Sequence, residues 1–293
     1  MAEAATPIAA RTTSLPVRDW WRTLRQSRSI TLGLFMLALI VLIAVIGPLL
    51  ARYDPLATDA ALARQGPSEE HPFGSDASGR DVLSRVIYAV GLDLMVALVV
   101  SLVATTVGAS VGLVSGYIGG LFDQVLMRGV DILMAFPGFL LAVTVTAVLG
   151  NNVRTIVLAL GIAYAPVAVR VVRAQVLSLR EAQFIEASRA IGTPVWEIML
   201  YHLLPNTYSV LLAQATLFMA WAVLDIAGLS FLGLGIKPPT PELGAMTADG
   251  AEQMVSGRWW MSVFPGGFIM LMALSFTLIG DGLRDLLDPR HRD

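Results

Sequence analysis

Few residues in this chain could do chemistry, and those few are poorly placed for it. The three histidines, His71, His202 and His291, lie far apart, with no HExxH run and no helical pair to make a zinc site. Cysteine is absent, which removes thiolate nucleophiles, thiolate metal sites and disulfides. The one lysine, Lys237, is followed by Pro238, so no GxxxxGK(S/T) loop can cradle a nucleotide phosphate. No GxSxG elbow occurs, and the apolar stretches hold no pair of carboxylates for acid–base work. These absences argue against an enzyme and lead us to expect no metal or cofactor held by this chain. If ATP drives any work here, the ATPase must be another polypeptide.

The elements around these residues are those of a membrane protein. Hydrophobic residues make up 56% of the 293 and charged residues 14%, against about 25% charged in soluble domains. Six apolar segments are long enough for a hydrocarbon core of about 30 Å, which needs roughly 20 helical residues. They fall near Ile30–Ala51, Leu94–Tyr117, Ile132–Leu149, Ile156–Val172, Tyr208–Gly235 and Met261–Gly280. This predicts an all-α protein with six transmembrane helices. Its parts are a tail at 1–29, a first helix at 30–51 and an outer loop with lead-in at 52–93. A helical core follows at 94–280, and a second tail at 281–293.

Basic residues set the orientation. Arg11, Arg18, Arg22, Arg25 and Arg28 precede the first span, and Arg128, Arg170, Arg173, Arg180, Arg189, Arg284, Arg290 and Arg292 follow on the same side. Most of the 20 Lys and Arg therefore share one side, and the positive-inside rule predicts N-in, C-in. Trp20 and Trp21 beside the tail arginines fit an interfacial amphipathic segment. Trp259 and Trp260 fit an anchor at the outer face of the sixth span.

Two features inside the spans carry a signal. Asp225 is the lone acid of the fifth span; a carboxylate at mid-helix costs at least about 2.5–3.5 kcal/mol, so it must face protein or water. It lines a translocation path or pairs with a basic residue of a partner helix, or else it fixes packing through a helix–helix hydrogen bond. Gly108, Gly112, Gly116 and Gly120 recur every fourth residue of the second span. Such a stripe admits a neighbouring helix closely, or lines a path.

Between the fourth and fifth spans, at 174–207, the inner side carries far more sequence than a connector needs. Leu179 to Ala190 reads as a helix, and Gly192 can end it in the left-handed conformation. Thr193 is a good N-cap and Pro194 a good first residue, so a second helix should start at once and close at Pro205. Val195, Ile198, Met199 and His202, widened by Trp196, Leu200 and Leu203, give it an apolar surface that must dock on something.

These residues carry a family resemblance. Glu186-Ala187-Ser188, Gly192 and Leu204-Pro205 resemble the EAA loop of ABC importer permeases: EAA, three residues, Gly, nine residues, then an apolar residue, one further residue and LP. Ser188 replaces an alanine of that pattern, and His202 stands where an apolar residue is usual. "HPFGSDASGRDVLSRVIY", "GYIGGLFDQVLMRGVDILMAFP", "LDIAGLSFLGLGIKPPTPELG" and "GDGLRDLLDPR" look like the C-type permease of the dipeptide/oligopeptide/nickel branch, except that Leu243 stands for its usual Trp. The resemblance implies a type I importer permease fold in a bacterial inner membrane. It implies a homologous B-type permease, two cytoplasmic ATPase subunits holding ATP and Mg, and an extracytoplasmic substrate-binding protein as partners, with no nucleic acid. By position it assigns Glu186, Ala187, Ser188, Gly192, Thr193 and Pro194 to ATPase coupling. Di- and oligopeptides are the expected cargo. Nickel chelates or glutathione are the alternative within the family, and a stand-alone ion-coupled carrier is the alternative outside it.

Overall fold

The computed structural model describes residues 27–287, and these are helical with an isolated bridge between Ser75 and Asp81. The helices are α1 (Arg28–Leu50), α2 (Val82–Ile118), α3 (Gly120–Met134), α4 (Gly138–Leu149), α5 (Val153–Leu179), α6 (Gln183–Ala190), α7 (Val195–Phe231), α8 (Leu243–Met254) and α9 (Trp260–Leu287). The N-terminal tail up to Gln26, with Trp20 and Trp21, and the last residues from Asp288, with His291, lie outside the described residues.

Five helices, α1, α2, α5, α7 and α9, are long and apolar enough to cross a membrane. The expected third span is a pair instead: α3 and α4 meet at an 82° bend. Pro137 causes it, because proline lacks the N–H and disfavours helix at the residue before it. The 12 residues of α4 reach only about 18 Å, so a sixth crossing requires both pieces. At 37 residues each, α2 and α7 are about 55 Å long, well beyond a hydrocarbon core of about 30 Å. The second span and the helix expected at Asp81 are therefore one element. Asp81 starts it, accepting the Ser84 N–H at 2.7 Å.

Small residues set the helix spacing. A Cβ on Gly112 would stand 2.7 Å from the Val169 carbonyl oxygen and 2.9 Å from the Val172 Cβ, and one on Gly116 3.0 Å from the Val176 Cβ. At Gly108 it would overlap Ala168. The stripe is thus a packing surface for α5, without which the backbones could not approach. Gly120 does not belong to it. It opens α3 at φ 64° with nothing near its Cβ position, because the chain turns off the α2 axis at Gly119. On α1 a single stripe of Ile30, Gly33, Ile40 and Gly47 is buried, while Leu32, Phe35, Leu42, Val45 and Leu49 are exposed, as lipid contact requires.

Loop 51–81 is folded onto the ends of α2 and α9. Arg85 donates to the carbonyls of Pro55 (2.9 Å) and Pro239 (3.3 Å), and the buried His71 meets Asp81 at 2.9 Å. Trp260 is buried rather than interfacial: its indole N–H donates to the Ser75 carbonyl at 3.2 Å. Phe73 stacks on Phe264 at 4.0 Å. Trp259 remains exposed.

Candidate functional site: the α6–α7 junction and the acidic centres

Helix α6 packs against α2, α5 and the start of α7 through Ile185. Its start is set by a break at Arg180–Ala182 after α5, later than sequence alone suggests. Its end is a Schellman turn: the Gly192 N–H donates to Arg189 O and the Thr193 N–H to Ser188 O, both at 3.0 Å, with Gly192 at φ 79°. Thr193 is consequently not the N-cap. Its backbone is spent closing α6, so Pro194 takes the cap position of α7 and helix begins at Val195, one residue later than expected.

Pro205 does not close a separate helix either. Residues Ile198–Leu203 form a π turn, with the Leu204 N–H reaching back to the Met199 carbonyl, and α7 runs unbroken through it. The wider turn shifts the bonding register by one residue, so the missing proline N–H costs the helix less. The second helix of the junction is thus the projecting end of the fifth span, a rigid extension of it.

Burial divides the junction in two. Ile185 of α6 and Ile198 and Leu203 of α7 lie in a small core with Leu113, Val172 and Val176 from α2 and α5. Arg189 lies over the Tyr117 ring at 5.2 Å, a cation–π contact that ties α6 to the end of α2. Ser188 is buried, with its hydroxyl donating to the Phe184 carbonyl at 2.8 Å, so the hydroxyl that departs from alanine is not left unpaired. Glu186, Ala187, Gly192 and Pro194 are exposed. Outward from them face Ile191 (83% exposed), Val195, Trp196, Leu200 and Tyr201. His202 is half-buried on the π turn, its carbonyl accepting from the Asn206 amide at 2.6 Å.

Next to the junction is an ion pair that sequence reasoning missed. Arg173 grips Asp123 with hydrogen bonds of 2.6 and 2.5 Å, and Ser115 also donates to that carboxylate. Arg170 meets Asp131 at 2.6 Å. The two arginines, nearly one turn apart on α5, hold the length of α3. The signal lay in the DxxxxxxxD spacing of α3, which puts both acids on one helix face, against arginines three apart on α5.

A second missed group closes the opposite end. Glu242 is fully buried as the N-cap of α8, accepting from the Gly244 and Ala245 N–H at 2.8 and 2.7 Å. Buried Asp93 of α2 accepts the third, from Leu243, at 3.1 Å. Burial pushes the Glu242 carboxyl above its usual range, against those N–H groups. Leu243 is fully buried in the main core, so its departure from tryptophan is an interior substitution rather than one at the outer face.

Asp225 lies between these ends, half-buried. Tyr164 of α5 donates to its Oδ2 at 2.7 Å. The Tyr164 ring stacks on Phe218 at 5.4 Å and meets Trp221 edge-on at 6.0 Å. Among the described residues no cluster of His, Cys, Asp and Glu could hold a metal ion.

Comparison with known proteins fits this architecture. Residues 108–293 match the family described as binding-protein-dependent transport system inner membrane component, and residues 16–67 match the N-terminal TM domain of oligopeptide transport permease C. A dipeptide transport system permease protein of Alkalihalophilus pseudofirmus is 39% identical over 94% of this chain and 91% of its own. A glutathione transport system permease protein of Shigella flexneri is 42% identical over the same shares, 94% and 91%. The chain therefore belongs to the binding-protein-dependent inner membrane components, the permease subunits of ABC importers, and is a multi-pass membrane protein.

Proposed function

We propose that this chain is one half of the transmembrane pore of an ATP-driven peptide importer, with α6 and the projecting start of α7 as the docking element for a cytoplasmic ATPase. The observation that carries this is the two-sided junction. Its inner face is packed into α2, α5 and α7, and its outer face leaves Ile191, Val195, Trp196, Leu200 and Tyr201 exposed around Glu186 and Gly192. Exposed apolar patches rimmed by polar residues mark interaction sites. Because Ile185 and Ile198 tie the element to three long helices, a force on α6 tilts them as a body.

Permeases of this family work with ATPase and binding-protein partners. In this reading Glu186, Ala187, Gly192, Thr193 and Pro194 form the contact, buried Ser188 supports it from within α6, and the partner ATPases hold ATP and Mg. A homologous B-type permease supplies the other half of the pore, and the junction faces the cytoplasm, giving N-in, C-in. The chain itself catalyses nothing. The cargo reading follows relatives named for dipeptide and glutathione transport. Glutathione is a tripeptide, so it stands as the second reading within one substrate chemistry.

The test is ATP-dependent uptake by the assembled importer in vesicles. Wild type takes up labelled peptide only with ATP and the binding protein. Glu186→Ala and Gly192→Leu remain in the membrane but hydrolyse more ATP per peptide moved. Wild-type coupling in both variants would make the junction a mere connector.

A further inference from the structure

We infer that Asp225, Tyr164 and Trp221 form a recognition site for a primary ammonium group on the accessible face of α7; the identification of that group with the N-terminus of a peptide rests on the import reading above. Among the described residues Tyr164 is the one hydrogen-bond partner of Asp225, through Oδ2, and no Arg or Lys forms an ion pair with it. Oδ1 is left without a donor on a half-buried side chain. Asp123 and Asp131 are matched by arginines, while buried Asp93 accepts from the N-terminus of α8 through one oxygen only. Asp225, unlike the enclosed Asp93, has no cation partner and is open enough to receive one.

Its surroundings suit a small organic cation. Trp221 lies one helical turn before Asp225 on the same face and is 42% exposed. Phe218 and Tyr164 pack behind it, with Trp221 at 5.7 Å from Phe218, so the indole is held in place. An ammonium can bond to Oδ1 while lying over the indole, combining a charge-assisted hydrogen bond with a cation–π contact. Tyr164, buried and already donating to Oδ2, fixes the carboxylate's orientation. Six residues separate Asp225 from the α7 end at Phe231, about 9 Å. The site therefore lies toward the end of the bundle opposite the ATPase junction, where arriving cargo would meet it.

Two measurements on the assembled importer test this with dialanine and its des-amino form, propionyl-alanine. In the first, 5-fluorotryptophan is incorporated and the Trp221 resonance is assigned by its loss in Trp221→Phe. Dialanine should shift that resonance, propionyl-alanine should not, and Asp225→Asn should abolish the difference. Asparagine still accepts from Tyr164, so packing between α5 and α7 is retained. In the second, Asp225→Asn should lower ATP-driven uptake of dialanine about tenfold more than that of propionyl-alanine, the effect of one lost charge-assisted hydrogen bond. Equal shifts by both compounds, or equal losses of both in Asp225→Asn, would overturn the site and leave Asp225 a packing or subunit-pairing residue. If the resonance responds to the amine while wild type imports no peptide, the site stands and the import reading falls.

Discussion

Gly108→Ala tests how closely α2 and α5 must approach. A Cβ at this position overlaps the Ala168 methyl and stands 2.9 Å from the Ala168 carbonyl carbon and 3.0 Å from its Cα. Ordinary carbon contacts lie at about 3.5–4.0 Å. Two of these three neighbours are backbone, so no rotamer change relieves them, and the helices must part by roughly 1 Å. Parting at Gly108 also loosens Gly112 and Gly116, which sit against Val169, Val172 and Val176. Overpacking of this kind costs about 1–3 kcal/mol. At about 2–4 °C per kcal/mol this lowers the apparent Tm by about 2–12 °C. Gly129→Ala is the control. It lies within α3 with nothing within 4 Å of its Cβ position, and helix propensity favours alanine by up to about 1 kcal/mol. The assay is thermal unfolding of the detergent-solubilised chain. Adding Ala168→Gly to Gly108→Ala should recover part of the loss, since it deletes the worst overlap and leaves the two backbone contacts. The reasoning fails if Gly108→Ala behaves like Gly129→Ala. It fails equally if Ala168→Gly harms the double variant as much as it harms wild type.

Three further outcomes follow from other parts of the molecule. A double-mutant cycle of Asp123→Asn and Arg173→Gln, read by thermal unfolding, should give a coupling of about 1–3 kcal/mol for this partly buried charged pair; additive effects would mean the ion pair does not hold α3. At the junction, Gly192→Leu should meet no steric block, since nothing stands within 4 Å of its Cβ position. Its cost is the left-handed backbone, about 1–2 kcal/mol; gross unfolding would contradict this, and ATP turnover per transported molecule separates coupling from folding. For Glu242 the sign is set by burial, which raises its folded pKa. Stability from such a group is greatest when it is protonated and falls as pH rises through the folded value. Glu242→Gln should match wild type near the ordinary glutamate pKa of about 4.3 and exceed it increasingly at higher pH. Parallel pH profiles for the two proteins would reject that account.

The sequence alone determined the class and the plan. Apolar runs of span length can only be helices in lipid, and the Gly192 turn is a local signal whose meaning does not depend on what packs nearby. The start of α2 at Asp81 and the motifs that mark an importer permease are of the same kind. What the sequence could not decide were features set by neighbours. Pro205 looks like a helix end, yet the π turn before it carries α7 straight through, because the projecting helix is anchored by Ile198 and Leu203. Gly120 shares the spacing of the glycine stripe but falls after the turn at Gly119, so it faces no helix. Trp260 reads as an interfacial anchor and is instead a buried donor to the folded loop 51–81. The pairs Asp123–Arg173 and Tyr164–Asp225 join residues 50 and 61 positions apart. Only the tertiary structure can show which buried charge has a partner and which, like Asp225, is still short of one, because that depends on which helix faces meet.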